Sequence, residues 1–384
     1  MVSAVRKGSS VRAVAKRFGV GKSTVQRWVA HAQGKRLGRV DFSDRSCRPA
    51  HTTRSADQIE ELVLDMRREL RVSSALGEFG AGAIREELRR RSLLPLPATR
   101  TIGRILQRRG ALDGKRRTRR PSPPKGWYLP PVASGDAEID CVDVIEDLRV
   151  EKGPLLDVLT TRCLHGHLAQ AWPVDAQISA QTTLQCLLTY WRADGLPTYA
   201  QFDNDTRFQG AHQHRDCISR VMRLCLALGV TPVFVPPRET GFQAAIENFN
   251  RRWQSAVWSR FHHSCVDDVQ YYSARFVAAF RSRHAARTDS APPRRGFPEG
   301  FRLDLQSPPL GKLIYLRRAT DTGSVSVLGH SFPVDRHWPH RLVRCEVDLA
   351  AHRIDFYALR RREPARQPLL KQVEHEIPRR PFHQ

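Results

Sequence analysis

At 384 residues the chain is too long for one ordinary hydrophobic core and implies two to four domains. Its 63 Lys and Arg against 39 Asp and Glu give a formal charge of +24 and a pI of about 10.6, a balance suited to a polyanionic partner such as nucleic acid. No apolar run of about 18 residues occurs, and Met1 to Gly8 carries no apolar signal core, so a membrane partner is excluded and a soluble, cytoplasmic protein is expected.

Residues 1–126 hold 30 Lys and Arg against 11 Asp and Glu, a net +19 of the total +24, so the amino-terminal third is the electrostatic arm. Within it, residues 1–40 read as a helix-turn-helix domain. A stub, Val2 to Arg6, precedes a helix with Val11, Val14, Ala15 and Phe18 on one face, and Gly19-Val20-Gly21 ends that pattern. A second helix follows, with Ser23 as its expected cap and Val25, Trp28 and Val29 as its buried stripe. Lys22, Thr24, Gln26 and Arg27 are left for the outer face, where Arg and Gln can make bidentate contacts to bases in a major groove.

Residues 54–112 form a second helical block. Ile59, Leu62, Val63, Met66 and Leu70 make one apolar stripe, Ile84, Leu88, Ile102, Ile105 and Leu106 supply others, and Thr99 or Thr101 opens the last helix. Arg85, Arg89, Arg90, Arg91, Arg100, Arg104, Arg108 and Arg109 crowd its surface and suggest a second helix-turn-helix-like DNA-binding domain, with plain solvated helix faces as the alternative. Residues 113–126 combine Lys115, Arg116, Arg117, Arg119 and Arg120 with Pro121, Pro123 and Pro124, a basic extended linker able to track phosphates.

From Trp127 the texture changes to that of an α/β core, residues 127–260. Ile139 to Ile145, Leu155 to Thr160 and His167 to Trp172 are apolar runs expected as strands. Ala180 to Arg192 is then helical, Thr198 to Phe202 a strand, Cys217 to Leu228 a helix, Thr231 to Val235 a strand and Ala244 to Trp258 a long helix. The order β-β-β-α-β-α-β-α implies a mixed five-stranded sheet with helices on its faces and a site at its strand ends. Residues 261–300 follow as a helix, Val266 to His284, and a Pro/Arg linker, Ser290 to Pro298. Residues 310–362 hold short runs at Leu313 to Arg317, Ser324 to Leu328, His330 to Val334, Leu342 to Asp348 and Ile354 to Leu359, expected as a small antiparallel β-barrel, with 363–384 as a tail.

The acids carry the chemistry. Asp140 lies inside the first apolar strand, Asp203 follows the fourth, and Glu247 lies early in the last core helix. A carboxylate within an apolar strand is costly to bury as a charge and requires a partner, for which a divalent cation is the simplest candidate. Magnesium prefers a few carboxylate oxygens, and two such ions can activate the attacking oxygen and stabilise the leaving one in a phosphoryl displacement. Asp143, three residues past Asp140, is the alternative first acid, because an error of strand register exchanges their roles. Glu239 is the alternative to Glu247.

The eight cysteines, Cys47, Cys141, Cys163, Cys186, Cys217, Cys225, Cys265 and Cys345, include no CxxC pair and read as reduced thiols. His212, His214, Cys217 and Cys225 form one cluster in sequence, and His262, His263 and Cys265 another. Neither repeats a zinc-finger spacing, so zinc is not expected at either.

The segments Glu138-Ile139-Asp140-Cys141, Phe202-Asp203-Asn204-Asp205-Thr206-Arg207-Phe208 and Gly241 to Arg251, the last with Ile246-Glu247-Asn248-Phe249-Asn250-Arg251, occur in order, with 63 and 44 positions between successive acids. They resemble the three catalytic motifs of the DDE transposase and retroviral integrase superfamily, and the organisation is especially similar to bacterial insertion-sequence transposases. The resemblance implies a ribonuclease-H-like core in which Asp140, Asp203 and Glu247 hold two Mg2+ ions, or Mn2+ in their place, and cut and join DNA strands. It also implies that Asn204 orients its loop and that Asn250 and Arg251 face DNA. Asp205 stands where many relatives carry glycine, either as a turn residue or as a perturbation of the metals. The partners implied are double-stranded DNA at element ends and target, further copies of the chain and, as an open question, a helper ATPase, all near a bacterial nucleoid. The rival readings are a transposase-derived DNA-binding regulator that lost catalysis, and a nuclease on the same core that cleaves without joining.

Overall fold

Helical periodicity at the amino terminus produces three short helices, α1 (Val2–Arg6), α2 (Val11–Phe18) and α3 (Lys22–Ala32), which bury Val2, Val14, Ala15, Val25 and Ala32. Ser10 caps α2 by accepting from the Ala13 N–H, and Gly19 closes it in the left-handed conformation at φ 63° that glycine adopts at little cost. At α3 the cap residue is Gly21. Ser23, expected as the cap, lies inside the first turn, and no side chain caps this helix.

The structure, a computed structural model, describes residues 1–43, 55–112, 125–151, 153–175, 177–210, 214–239, 241–378 and 382. These residues divide into two units, Met1–Asp57 and Gln58–Gln384. The basic run Lys115, Arg116, Arg117, Arg119 and Arg120, together with Cys47 and His212, lies outside the described residues.

After the division come α4 (Asp57–Ser73), α5 (Ala81–Arg90) and α6 (Thr99–Arg108), packed through Val63, Met66, Leu70, Ile84, Leu88, Ile102, Ile105 and Leu106. The arginines of this block are not all free to meet phosphates. Arg89, Arg90 and Arg91 pair with Glu86, Glu87 and Glu69, while Arg108 and Arg109 pair with Glu60 and Glu61. Arg85, Arg100 and Arg104 are in no ion pair among the described residues.

The core opens with α7 (Pro130–Ala133), β1 (Ile139–Arg149), β2 (Leu155–Cys163) and β3 (Ala169–Val174), then α8 (Ala180–Asp194) and β4 (Tyr199–Phe202). Next come α9 (Thr206–Gln209), α10 (Arg220–Ala227), β5 (Thr231–Phe234) and α11 (Ala244–Trp253). The helix expected to run through Trp258 changes to a π-helical turn at Gln254–Trp258. α12 (Val266–Asp289) follows, then β6 (Lys312–Arg318), β7 (Ser324–Val327), β8 (His330–Pro333), β9 (Leu342–Asp348), β10 (Arg353–Leu359) and β11 (Leu369–Glu374).

β1 to β3 form an antiparallel meander, and β1, β4, β5 and β6 are successively parallel. The complete order is β11-β10-β9-β6-β5-β4-β1-β2-β3, so the sheet has nine strands rather than five. The expected carboxyl-terminal barrel is absent among the described residues; its strands extend the core sheet, apart from the β7–β8 hairpin. The reason lies in β6, where Leu313, Ile314, Tyr315 and Leu316 are consecutively buried. A strand covered on both faces and paired at both edges is a central strand.

One face of the sheet packs against α8 and α10, joining Val142, Leu159 and Phe202 to Leu187, Trp191, Val221 and Leu224. The opposite face packs against α11 and α12, joining Cys141, Ile145 and Val158 to Ile246, Phe249, Trp253, Phe276 and Phe280. The 261–300 segment is therefore largely structured. α12 is stitched to β3 by Ser273 and Arg281, which donate to the carbonyls of Ala171 and Ala169.

Candidate active site

Side chains alternate between the two faces of a strand, so Asp140 and Asp143 on β1 must point in opposite directions. Asp140 goes with Val142 toward α8. It is fully buried, accepts from Trp191 Nε1 at 3.0 Å, and forms a two-pronged ion pair with Arg294, both Nη atoms standing 2.8 Å from its oxygens. Burial pulls the Arg294 guanidinium down, but the Asp140 charge outweighs this and its pKa is raised. The cation that this buried carboxylate required is thus an arginine from the stretch expected as a linker. That stretch is itself fastened to the core, with Arg294 donating to Asp194 and Gly195 and the Arg295 backbone paired with Leu196.

Asp143 faces α11. The parallel register aligns Asp140 with Ala200 and Cys141 with Gln201, and two residues further on Asp143 falls level with Asp203. Asn250 Nδ2 donates to Asp143 Oδ2 at 2.8 Å, while Thr160, the cross-strand partner of Asp143, donates to Asn250 Oδ1 at 2.8 Å and to the Asp143 carbonyl at 3.1 Å. Burial pushes the Asp143 carboxyl up to about 7; a backbone hydrogen bond opposes this, and the charges of Asp203, Glu247 and Glu146 add to it. The Asp143 carboxyl thus feels the charges of both Asp203 and Glu247. None of the three is in an ion pair among the described residues.

Asp203 is half-buried at the end of β4, and burial raises its carboxyl too, against a hydrogen bond from the Asp205 N–H at 3.0 Å. Asn204 holds the loop by donating to the Val235 carbonyl at 2.7 Å and accepting from Gln209 at 2.6 Å. Asp205 caps α9 by accepting from the Arg207 N–H at 2.7 Å and also ion-pairs with the Arg207 guanidinium at 2.7 Å. Arg207 in turn pairs with Glu146. Asp205 is thus engaged as a turn residue.

Glu247 is exposed in the first turn of α11, three residues before Asn250 on the same helix face. Asn250, expected to face DNA, is instead buried against Asp143 and Thr160, since the stripe Ile246, Phe249, Asn250 and Trp253 is the inward one. Arg251 is exposed. Glu239 pairs with Arg318 and Arg361.

In the amino-terminal unit Lys22, Gln26 and Arg27 are exposed on α3 and Thr24 is half-buried. The described cysteines are free thiols. His262 pairs with Glu151, whereas His263 lies 3.1 Å from the Val257 carbonyl and stacks on Trp258, so that sequence cluster does not converge. Cys225 is buried in the α10 core, apart from exposed His214. The three-ligand group that does converge among the described residues, Asp216, His330 and His375, was not singled out in the sequence. Thr160 and Arg294 also make contacts that the sequence did not announce, and Asp143, the alternative first acid, is held by Asn250. The parity of β1 against β4 was the signal available for Asp143.

A three-helix amino-terminal unit and an α/β core of meander and parallel strands with clustered acids thus define the chain. Residues 1–38 match the family model of a homeodomain-like domain. No curated protein matches the chain in sequence. Among solved structures, the chain is similar to the catalytic core domain of BIV integrase, at 16% identity and TM-score 0.28 over 38% of this chain and 81% of that one. A chain of the simian T-cell lymphotropic virus intasome in complex with PP2A regulatory subunit B56 gamma is similar at 11% identity and TM-score 0.32, over 69% of this chain and 84% of that one. The HTLV-2 integrase catalytic core domain in complex with magnesium is similar at 11% identity and TM-score 0.23, over 35% and 82%. The homeodomain-like match falls on the residues expected as a helix-turn-helix domain, 1–40. No helix among the described residues is long and apolar enough to cross a membrane.

Proposed function

We propose that the protein is a DNA transposase or integrase that cleaves and joins DNA strands, with Asp143, Asp203 and Glu247 as its acidic triad. The observation that carries this reading is the raised, half-buried Asp143 carboxyl, level with Asp203 and influenced by Glu247, with no arginine or lysine paired to it among the described residues. Such a set of hard oxygen donors fits magnesium, with Mn2+ as its substitute. When bound, two such ions supply activation of the attacking oxygen and neutralisation of the charge developing on the leaving one. The chain's own residues set the geometry. Asn250 fixes the Asp143 carboxylate, Thr160 fixes Asn250, and Asn204 and Asp205 brace the loop that carries Asp203. The exposed Lys22, Gln26 and Arg27, with Thr24 beside them, serve as the recognition surface of the helix-turn-helix. Arg251 and the basic run from Lys115 to Arg120 contact the DNA backbone. Two DNA ends cut together call for more than one copy of the chain.

A strand-transfer assay on supercoiled target DNA tests the reading, using DNA from the flanks of the reading frame as donor with Mg2+ or Mn2+. Asp203→Asn and Asp143→Asn are expected to abolish cleavage and joining. Joining that persists in both variants would overturn the triad, hydrolysis without joined products would favour a nuclease, and DNA binding without cleavage in the parent would favour a regulator.

A further inference from the structure

Far from the acidic triad in sequence, three segments of the larger unit converge on one carboxylate. His330, at the start of β8, places Nε2 3.0 Å and 3.1 Å from the two oxygens of Asp216. His375, just past β11, places Nε2 2.8 Å from Asp216 Oδ1. The two rings stand 4.9 Å apart at 70° to each other, and Phe332 packs beside both. The ligand atoms of all three residues lie within 4.8 Å of one another.

The surrounding backbone is shaped to hold this arrangement. Asp216 sits at φ +57°, in the left-handed region that Asp enters more readily than most non-glycine residues. Its N–H donates to the Leu328 carbonyl at 3.0 Å, anchoring it to the β7–β8 turn, and the His375 N–H donates to the His352 carbonyl at 2.8 Å. Side-chain exposures of 10% for Asp216, 13% for His375 and 27% for His330 leave the cluster sheltered on its protein side. It opens toward a cleft of about 1200 Å³, lined also by His214, Cys217 and His352.

Two imidazole nitrogens and a carboxylate oxygen are borderline donors of the kind that bind zinc, at about 2.0–2.2 Å each. Around a tetrahedral ion such ligands stand roughly 3.3 Å from one another. The observed separations of 2.8 to 3.1 Å, and the bound of 4.8 Å on the remaining pair, bracket that spacing. Three protein ligands with one position open to a cleft is the ligand count of an accessible zinc site.

We propose that Asp216, His330 and His375 form a zinc-binding site that clamps β8 and the end of β11 to the segment preceding α10. The clamp fastens the carboxyl-terminal extension of the sheet to the half of the core that carries Asp203. It does not depend on the acids at the strand ends.

The test uses the full chain, stripped with a chelator and titrated with Zn2+ against a chromophoric competitor, and with Co2+ as a spectroscopic probe. The parent and an Asp203→Asn/Glu247→Gln double variant are both expected to bind one Zn2+ per chain and to give the visible spectrum of low-coordinate Co2+. His330→Ala and His375→Ala are expected to weaken zinc binding by more than about 100-fold, because even loss of a partner outside the ligand shell costs about 10–100-fold. Zinc should raise the melting temperature of the stripped parent and not of these variants. His375→Gln, which can still donate a hydrogen bond to Asp216, guards against a folding defect: a folded variant that has lost zinc supports the site. Absence of zinc binding in the parent leaves a hydrogen-bonded cluster only and overturns the proposal. So does zinc binding unchanged in the histidine variants. Loss of zinc only in the double variant overturns it as well, and locates the ion at the triad.

Discussion

Replacing Asp140 and Asp143 separately with asparagine should move stability in opposite directions. The Asp143 carboxyl is displaced from its ordinary 3.8 to about 7 in the folded chain, mainly by burial. At 1.36 kcal/mol per tenfold in the proton equilibrium, that displacement corresponds to roughly 4 kcal/mol, and residual contact with solvent reduces the expected value to about 2–4 kcal/mol. The folded pKa lies above the unfolded one, so this contribution is fully present below 3.8 and is lost as pH rises through about 7. Asp143→Asn cannot ionise and can still accept from Asn250. In chelator it should match the parent near pH 4 and exceed it by about 2–4 kcal/mol at pH 8. Asp140→Asn instead leaves Arg294 buried without its counter-charge and should cost about 3–5 kcal/mol. Urea denaturation of both variants at pH 4, 6 and 8 measures this directly. A gain at pH 8 in Asp140→Asn, or none in Asp143→Asn, would refute the reading of the two faces of β1.

Asn250→Ala removes the donor to Asp143 and the acceptor for Thr160, and should cost about 1–3 kcal/mol in denaturation while lowering the rate of strand cleavage. Arg27→Ala should weaken specific DNA binding by about 1–3 kcal/mol and relax sequence preference, whereas Lys22→Ala should weaken all sequences alike and reduce the salt slope by about 1; fluorescence anisotropy at several salt concentrations separates the two. A methyl group at Gly323, φ +75°, would lie 1.9 Å from the Asp335 carbonyl oxygen, so Gly323→Ala should destabilise the larger unit by more than about 2 kcal/mol and lower its melting temperature.

The parts of this chain legible in its sequence are those governed by local rules. Apolar spacing located α2, α3, α8 and α11 to within a few residues, and Gly19 marked the turn between the first two. What escaped was set by pairing over distance. The burial of β6 on both faces, which makes it central, depends on β5 and β9. β11 was passed over because Leu369 to Glu374 is an edge segment with three charged or amide side chains among its six residues. Asp216 and His375 stand 159 residues apart, beyond any spacing rule. The opposite facings of Asp140 and Asp143 follow from the parity of β1 relative to β4, which the neighbours Ile-Asp-Cys in sequence do not show.

A simple electrostatic distinction separates the acids around the core. The other carboxylates weighed near the site each have an arginine: Asp140 has Arg294, Asp205 has Arg207, and Glu239 has Arg318. The three proposed to bind metal, Asp143, Asp203 and Glu247, are in no ion pair among the described residues, although Asp143 and Asp203 are half-buried. In a chain with 63 Lys and Arg, leaving half-buried carboxylates without an arginine or lysine is not a consequence of composition. Asp143 and Asp203 are held by neutral donors, Asn250 and the Asp205 N–H, and their raised pKa values favour the protonated carboxyl. On the proposed reading a divalent ion takes the place of that proton, while the arginine-paired acids are neutralised from within and hold the loops and strands beside it.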